Sequence, residues 1–121
     1  VKYLKGGGVL WFAPDQETRR GDSVFVPFFG RPAKTLTSTH QLARLSGALV
    51  LPLFHERIEA DGHYRVEIGA PLADFPSKDA LADTARTMAL IESQVRRVPP
   101  QYLWIHKRFK TQPEGTPSPY A

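Results

Sequence analysis

The chain has 121 residues, 41% of them hydrophobic and 23% charged, which is the size and make-up of one globular domain with its own core. It contains no cysteine, so disulfides and thiolate metal sites are excluded, and no apolar run approaches the ~18 residues that a membrane helix needs. The net charge of +4 is unevenly spread: Arg19, Arg20, Arg31, Lys34, Arg44 and Arg57 face only Asp22 and Glu56, and Arg96, Arg97, Lys107, Arg108 and Lys110 lie in a stretch without an acid. These basic zones suit phosphates if folding brings them to one face, and otherwise make a solvated positive surface.

Residues 1–8 read as a tail or the end of a helix, closed by Gly6-Gly7-Gly8. VKYLKGGG has no apolar core of the kind a signal peptide carries. The glycines precede a strand rather than follow one, and no Lys-Ser/Thr accompanies them, so they are not a phosphate loop. Val9–Ala13 is short, apolar and aromatic, which predicts a buried strand. It runs into Pro14-Asp15-Gln16 and a polar loop with Arg19-Arg20-Gly21, a common way to hold polar groups at the end of a strand.

Ser23–Pro27 reads as a second short strand, with Pro27 placing it at an edge or ending it. Phe28 and Phe29 are expected in the core. Thr35–Ser46 has near-helical spacing through Leu36, Thr39, Leu42, Ala43 and Leu45, with Thr35 or Thr37 as cap and Gly47 at the left-handed C-terminal position. Ala48–Phe54 is expected to be a buried strand. His63–Ile68 alternates Tyr64, Val66 and Ile68 with Arg65 and Glu67, and Asp61-Gly62 makes it the hairpin partner of the preceding strand. The longest helix is predicted over Lys78–Val98, started by Ser77 or Asp79. Its stripe is Leu81, Ala85, Met88, Ile91, Val95 and Val98, with Glu92 and Arg96 paired on the wet side. Met88 on that stripe is core, not a ligand. Pro99-Pro100 stops the helix, and one more short turn is expected over Gln101–Trp104. Residues 112–121 form a Pro/Gly-rich tail, expected to be extended and loose, after a single domain over 1–111.

Four stretches carry a resemblance: Val9–Gly30, Ala33–Pro52, His63–Ile68 and above all Gln101–Gly115, read QYLWIHKRFKTQPEG. The chain resembles the bacterial lipid A biosynthesis acyltransferases, the lauroyl/myristoyltransferase family. The resemblance implies an α/β fold, a mixed sheet of about four strands flanked by helices, as the C-terminal portion of a glycerolipid-acyltransferase-like fold. It implies transfer of a fatty acyl chain from acyl carrier protein to a phosphorylated lipid A precursor, at the cytoplasmic face of the bacterial inner membrane. No cofactor, metal or nucleic acid is implied. This sequence departs from the family where Met88 stands for a usual Asn, and where Glu17-Thr18-Arg19 replaces a more usual Asp-aromatic-Gly.

Acyl transfer from a thioester needs a base for the alcohol and a site for the oxyanion. The family uses a His-x4-Asp/Glu motif. Five residues after His40, His55, His63 and His106 stand Leu45, Ala60, Ile68 and Thr111, so the motif is absent here. The catalytic dyad is expected outside this stretch, which by itself is expected to be inactive, with no catalytic residue assigned. There is no G-x-S-x-G elbow and no ligand-spaced pair of histidines.

Binding remains. The resemblance places Asp15, Gln16, Arg19 and Arg20 where related acyltransferases carry an acceptor-binding block; Asp15 is otherwise a strand-end cap, and the arginines a solvated loop. A guanidinium fork fits phosphate oxygens. His106, Lys107, Arg108 and Lys110, interleaved with Tyr102, Trp104 and Phe109, suit a membrane interface or anionic headgroups, and would also suit single-stranded nucleic acid. Arg57 completes the candidate substrate-binding set. The alternative is a module that binds anionic lipid or nucleic acid without chemistry.

Overall fold

The computed structural model describes residues 1–17, 20–58 and 60–120. In chain order it has α1 (Lys2–Lys5), β1 (Ser23–Phe28), β2 (Arg31–Leu36), α2 (Ser38–Ser46), β3 (Leu53–Arg57), β4 (Tyr64–Ile68), α3 (Ala80–Arg97) and a 3-10 turn at Pro99–Gln101. The strands form two separate antiparallel hairpins, β1–β2 and β3–β4. The expected single mixed sheet is therefore not formed: each strand pairs only with its neighbour in sequence.

The first hairpin closes through Phe29 and Gly30, both at positive φ (49° and 74°), the two-residue turn whose twist suits paired strands. Phe28 pairs with Arg31, and Pro27 lies opposite Pro32. Next to a closing hydrogen-bonded pair, this is a non-bonded position, so neither proline is asked for a ladder N–H. The edge position inferred from Pro27 holds. Strand β2 takes Thr35 and Leu36, which spacing had assigned to the start of a helix, so α2 begins only at Ser38. Thr37 stands at its N-cap position, but its hydroxyl makes no capping bond and donates instead to the Asp22 carbonyl at 3.2 Å. Gly47, at φ 74°, ends the helix as expected, its N–H bonded to the Ala43 carbonyl.

Alternation along the hairpin turns Val26, Phe28, Ala33 and Thr35 inward, all at 2% exposure or less. They pack on α3, whose Met88 and Val95 are buried and whose Ala85 and Ile91 support them. Tyr102 and Phe109 close this core from the C-terminal segment. Met88 is core, as its place on the stripe indicated. Leu81 at the start of the stripe is half exposed, as is Leu45 on α2, because nothing described lies over either end. Asp79 caps α3 with its carboxylate on the N–H groups of Leu81 and Ala82, at 2.9 and 3.0 Å.

Two predicted strands are corrected. Val9–Ala13 forms no strand and is exposed, and β3 starts only at Leu53, with Leu49 and Leu51 ahead of it exposed. A strand exists only through its partner, and neither segment finds a second strand beside it. The β3–β4 hairpin itself forms as expected, but the other way out. In its register Leu53, His55 and Arg57 share a face with Tyr64, Val66 and Ile68, and all six are exposed. The opposite face is charged, and Arg97 at the end of α3 holds it through Glu56 and Glu67, at 3.7 and 3.5 Å.

Candidate functional site

The loop after Ala13 and the segment after Trp104 meet. Glu17, 8% exposed, ties them together: its carboxylate accepts the N–H and the hydroxyl of Thr111, and its own N–H donates to His106 Nε2 at 3.2 Å. That bond places the ring proton of His106 on Nδ1. Residues 94 positions apart in sequence are joined here.

Arg108 lies beneath this junction, 2% exposed. One Nη donates to the Lys34 carbonyl at 2.7 Å, the other to the Thr35 hydroxyl, and the guanidinium carbon stands 5.8 Å from the centre of the Phe28 ring. Its Nε has no acceptor among the described residues. Burial pushes the pKa of Arg108 down, while Tyr102, Asp15 and Glu17 nearby oppose that shift. Burial also pushes Tyr102 up, and the carboxylate of Asp15 beside it adds to the shift, so its hydroxyl stays protonated. The sequence had placed Arg108 with the cations of a binding surface. The structure instead makes it the inner anchor of that surface.

The other candidates divide. Asp15 is half-buried at the junction, and Gln16 and Arg20 are exposed on its loop; Arg19 lies outside the described residues. Lys107 and Lys110 are exposed, with Lys107 Nζ 5.8 Å from the Tyr120 ring. Tyr120 also accepts the N–H of Phe109 at 3.3 Å, which folds the C-terminal residues back over this segment. Leu103, Trp104 and Ile105 are exposed immediately before it.

Arg57 is elsewhere, on the outward face of the second hairpin. With His55, Tyr64, Pro100 and Gln101 it lines an open depression of about 400 Å³. Gln101 clasps the main chain of Arg57, accepting its N–H at 2.7 Å and donating to its carbonyl at 2.8 Å. The clasp uses no atom of the guanidinium. The depression therefore presents two basic side chains and a phenol to solvent, a set that fits an anionic oxygen cluster such as a phosphate.

Glu17, Tyr102, Thr111, His55, Tyr64 and Gln101 were not among the sequence-derived candidates. Tyr102 and Gln101 fall within the QYLW block that carried the resemblance, but nothing local in the sequence links Glu17 to Thr111 or Gln101 to Arg57. The structure also contains a His–Asp pair invisible to motif spacing: His40 Nδ1 lies 2.7 Å from Asp83 Oδ2. Both residues are 3% exposed. The Asp83 carboxylate also accepts the N–H of Ser77 at 2.7 Å. Burial would raise its pKa, but the hydrogen bonds from His40 and Ser77 outweigh it and the net shift is downward. The pair fastens α2 to α3 and offers no face to a substrate. Among the described residues no three His, Asp or Glu side chains are grouped to hold a metal ion, and no helix is long and apolar enough to cross a membrane.

The sequence pattern of the bacterial lipid A biosynthesis acyltransferases matches residues 1–111. The lipid A biosynthesis lauroyltransferase of Escherichia coli K12 is 43% identical over 122 residues, covering 99% of this chain and 40% of that protein. The palmitoleoyltransferase of the same organism is 42% identical, with 99% of this chain and 39% of the relative covered. Its myristoyltransferase is 30% identical, with 99% and 37% covered. The chain thus spans about two-fifths of the length of these relatives.

Proposed function

Because the chain belongs to the bacterial lipid A biosynthesis acyltransferase family, we propose that it serves the transfer of a fatty acyl chain from acyl carrier protein to a hydroxyl of a phosphorylated lipid A precursor. The match over residues 1–111 carries this reading. In the reaction the acceptor oxygen attacks the thioester carbonyl, its proton passes to a base, and the carrier thiol leaves.

The part assigned to this chain is acceptor binding and scaffolding, not the base. No histidine here has an acid five residues on, and the His40–Asp83 pair is sealed between two helices. A dyad supplied by sequence beyond the matched two-fifths completes the site, and this chain alone is inactive. His55, Arg57 and Tyr64 take a phosphate of the acceptor in the depression against Gln101. Asp15, Gln16 and Arg20 face the acceptor from the junction that Arg108 and His106 hold in place, and Arg19 is assigned to the same acceptor by its place in the sequence alone. Exposed Leu103, Trp104 and Ile105 beside Lys107 and Lys110 suit contact with an anionic bilayer, apolar side chains entering and cations staying at the headgroups. The surface is the cytoplasmic face of the inner membrane, and no nucleic acid takes part.

The test is a graft. This chain replaces the matched part of the E. coli lauroyltransferase, and the hybrid is assayed with acyl carrier protein donor and phosphorylated lipid A precursor beside the 121-residue chain. Transfer by the hybrid and none by the chain alone is the expected result. Transfer by the chain alone would place the base within it. A folded hybrid that binds the precursor without transferring would leave a binding module.

A further inference from the structure

The Pro/Gly-rich segment after Thr111, expected to be loose, is fastened at two points. At its start the Gln112 side-chain amide donates to the carbonyls of Pro32 and Phe109, at 3.0 and 2.9 Å, which ties it to the first hairpin. The chain then reverses. The Thr116 N–H donates to the Pro113 carbonyl at 3.0 Å, and Gly115 takes a positive φ (78°) at the third position, where glycine has no Cβ to clash. The reversal returns Tyr120 to the basic segment. Its hydroxyl accepts the Phe109 N–H at 3.3 Å, and its ring centre lies 5.8 Å from Lys107 Nζ. Tyr120 and Lys107 are both exposed, so their contact does not serve the core. Tyr120 also lies beyond the residues that the family pattern matches.

We infer that Tyr120 is a positioning residue for Lys107, holding its ammonium where the headgroup phosphate of an anionic bilayer lipid meets it. The inference rests on the bilayer contact proposed for this segment, but not on acyl transfer. A lysine on its flexible stem loses rotamer entropy when a ligand fixes it, and a ring that already holds the ammonium takes part of that loss out of the binding step. The ring face covers only one side of an ammonium with three N–H donors, so donors stay open to a phosphate oxygen. No acid stands between Glu92 and Glu114 in sequence, and the ion pairs among the described residues leave Lys107 out. Leu103, Trp104 and Ile105, just ahead of the cation, are 51%, 52% and 88% exposed. They select a lipid over a free anion, because acyl chains can cover them and a soluble phosphate cannot.

Vesicle titration of the 121-residue chain tests it, with phosphatidylglycerol in phosphatidylcholine as the anionic bilayer. Tyr120→Leu is expected to weaken binding about two- to fivefold, the range of an exposed cation–π contact. Tyr120→Phe keeps the ring and is expected to keep most of the binding. With Lys107→Ala already in place, Tyr120→Leu should change binding no further, since its effect passes through that ammonium. Equal losses in both backgrounds would make Tyr120 a general fastener of the segment and overturn the inference. Unchanged binding in Tyr120→Leu would overturn it too, and a loss in Lys107→Ala would then leave the bilayer contact standing. Lys107→Ala without effect removes the bilayer contact at this cation, and the inference with it. Competition by inorganic phosphate at matched ionic strength would make the ligand a soluble anion, which also overturns the inference.

Discussion

Arg108 reaches back 73 residues to give its Nη2 hydrogens to the Thr35 hydroxyl, while Thr35 donates in turn to the Ala33 carbonyl at 2.9 Å. A cation from the C-terminal basic segment thus ends in the core, donating to acceptors that the first hairpin leaves open.

Arg108→Lys is expected to lower stability by roughly 3 kcal/mol, because a point ammonium cannot reach both Lys34 and Thr35 and a buried acceptor is left unpaired. Urea denaturation against the unaltered chain measures it. A loss below about 0.5 kcal/mol would mean that the anchor is not formed.

Asp83 sets an acid limit. Its folded pKa lies below the 3.8 of an unfolded aspartate, so the stability it adds is complete above that value and is lost as pH falls through the folded one. Stability should drop on acidification below pH 3.8, and Asp83→Asn should be less stable at neutrality and flatter in that window. Parallel acid limbs in the two proteins would contradict the assignment.

Tyr102 sets the opposite limit. Its folded pKa is raised above 10.0 by burial and then by Asp15, so its contribution is intact below pH 10 and is lost as pH rises past it. Tyr102→Phe should flatten the alkaline limb of the stability curve. Ultraviolet titration should find one tyrosine fewer ionising late.

The depression makes a binding prediction. Because Gln101 holds only the main chain of Arg57, removing side chains with His55→Ala and Arg57→Ala together should leave the hairpin in place. In the E. coli graft the pair should raise KM for the phosphorylated acceptor about tenfold at low salt with kcat little changed, the loss of one charge-assisted contact. An unchanged KM would return both residues to the solvated surface.

Much of the fold was legible because its signals are local. Asp79 as cap, Gly47 as helix stop, Pro99-Pro100 as terminator and Asp61-Gly62 as turn each act within a few residues. Strand β2 was missed although its signal was present: Phe29-Gly30 separates two six-residue strands, and Ala33 and Thr35 alternate with Lys34. Helical spacing from Leu36 onward obscured it. Of the site, the two segments that meet were both legible, but their meeting was not. Whether a histidine, arginine or glutamate faces solvent or core depends on residues 70 to 94 positions away.

By itself the sequence determined the helices, the turns, the Met88 stripe and the family, since capping, φ preference and periodicity are properties of neighbours along the chain. Only the tertiary structure decided that Arg108 is an anchor, that the second hairpin turns its apolar face outward, and that Val9–Ala13 lies bare. Burial and strand pairing require a partner, and which partner is within reach is set by packing rather than by order along the chain.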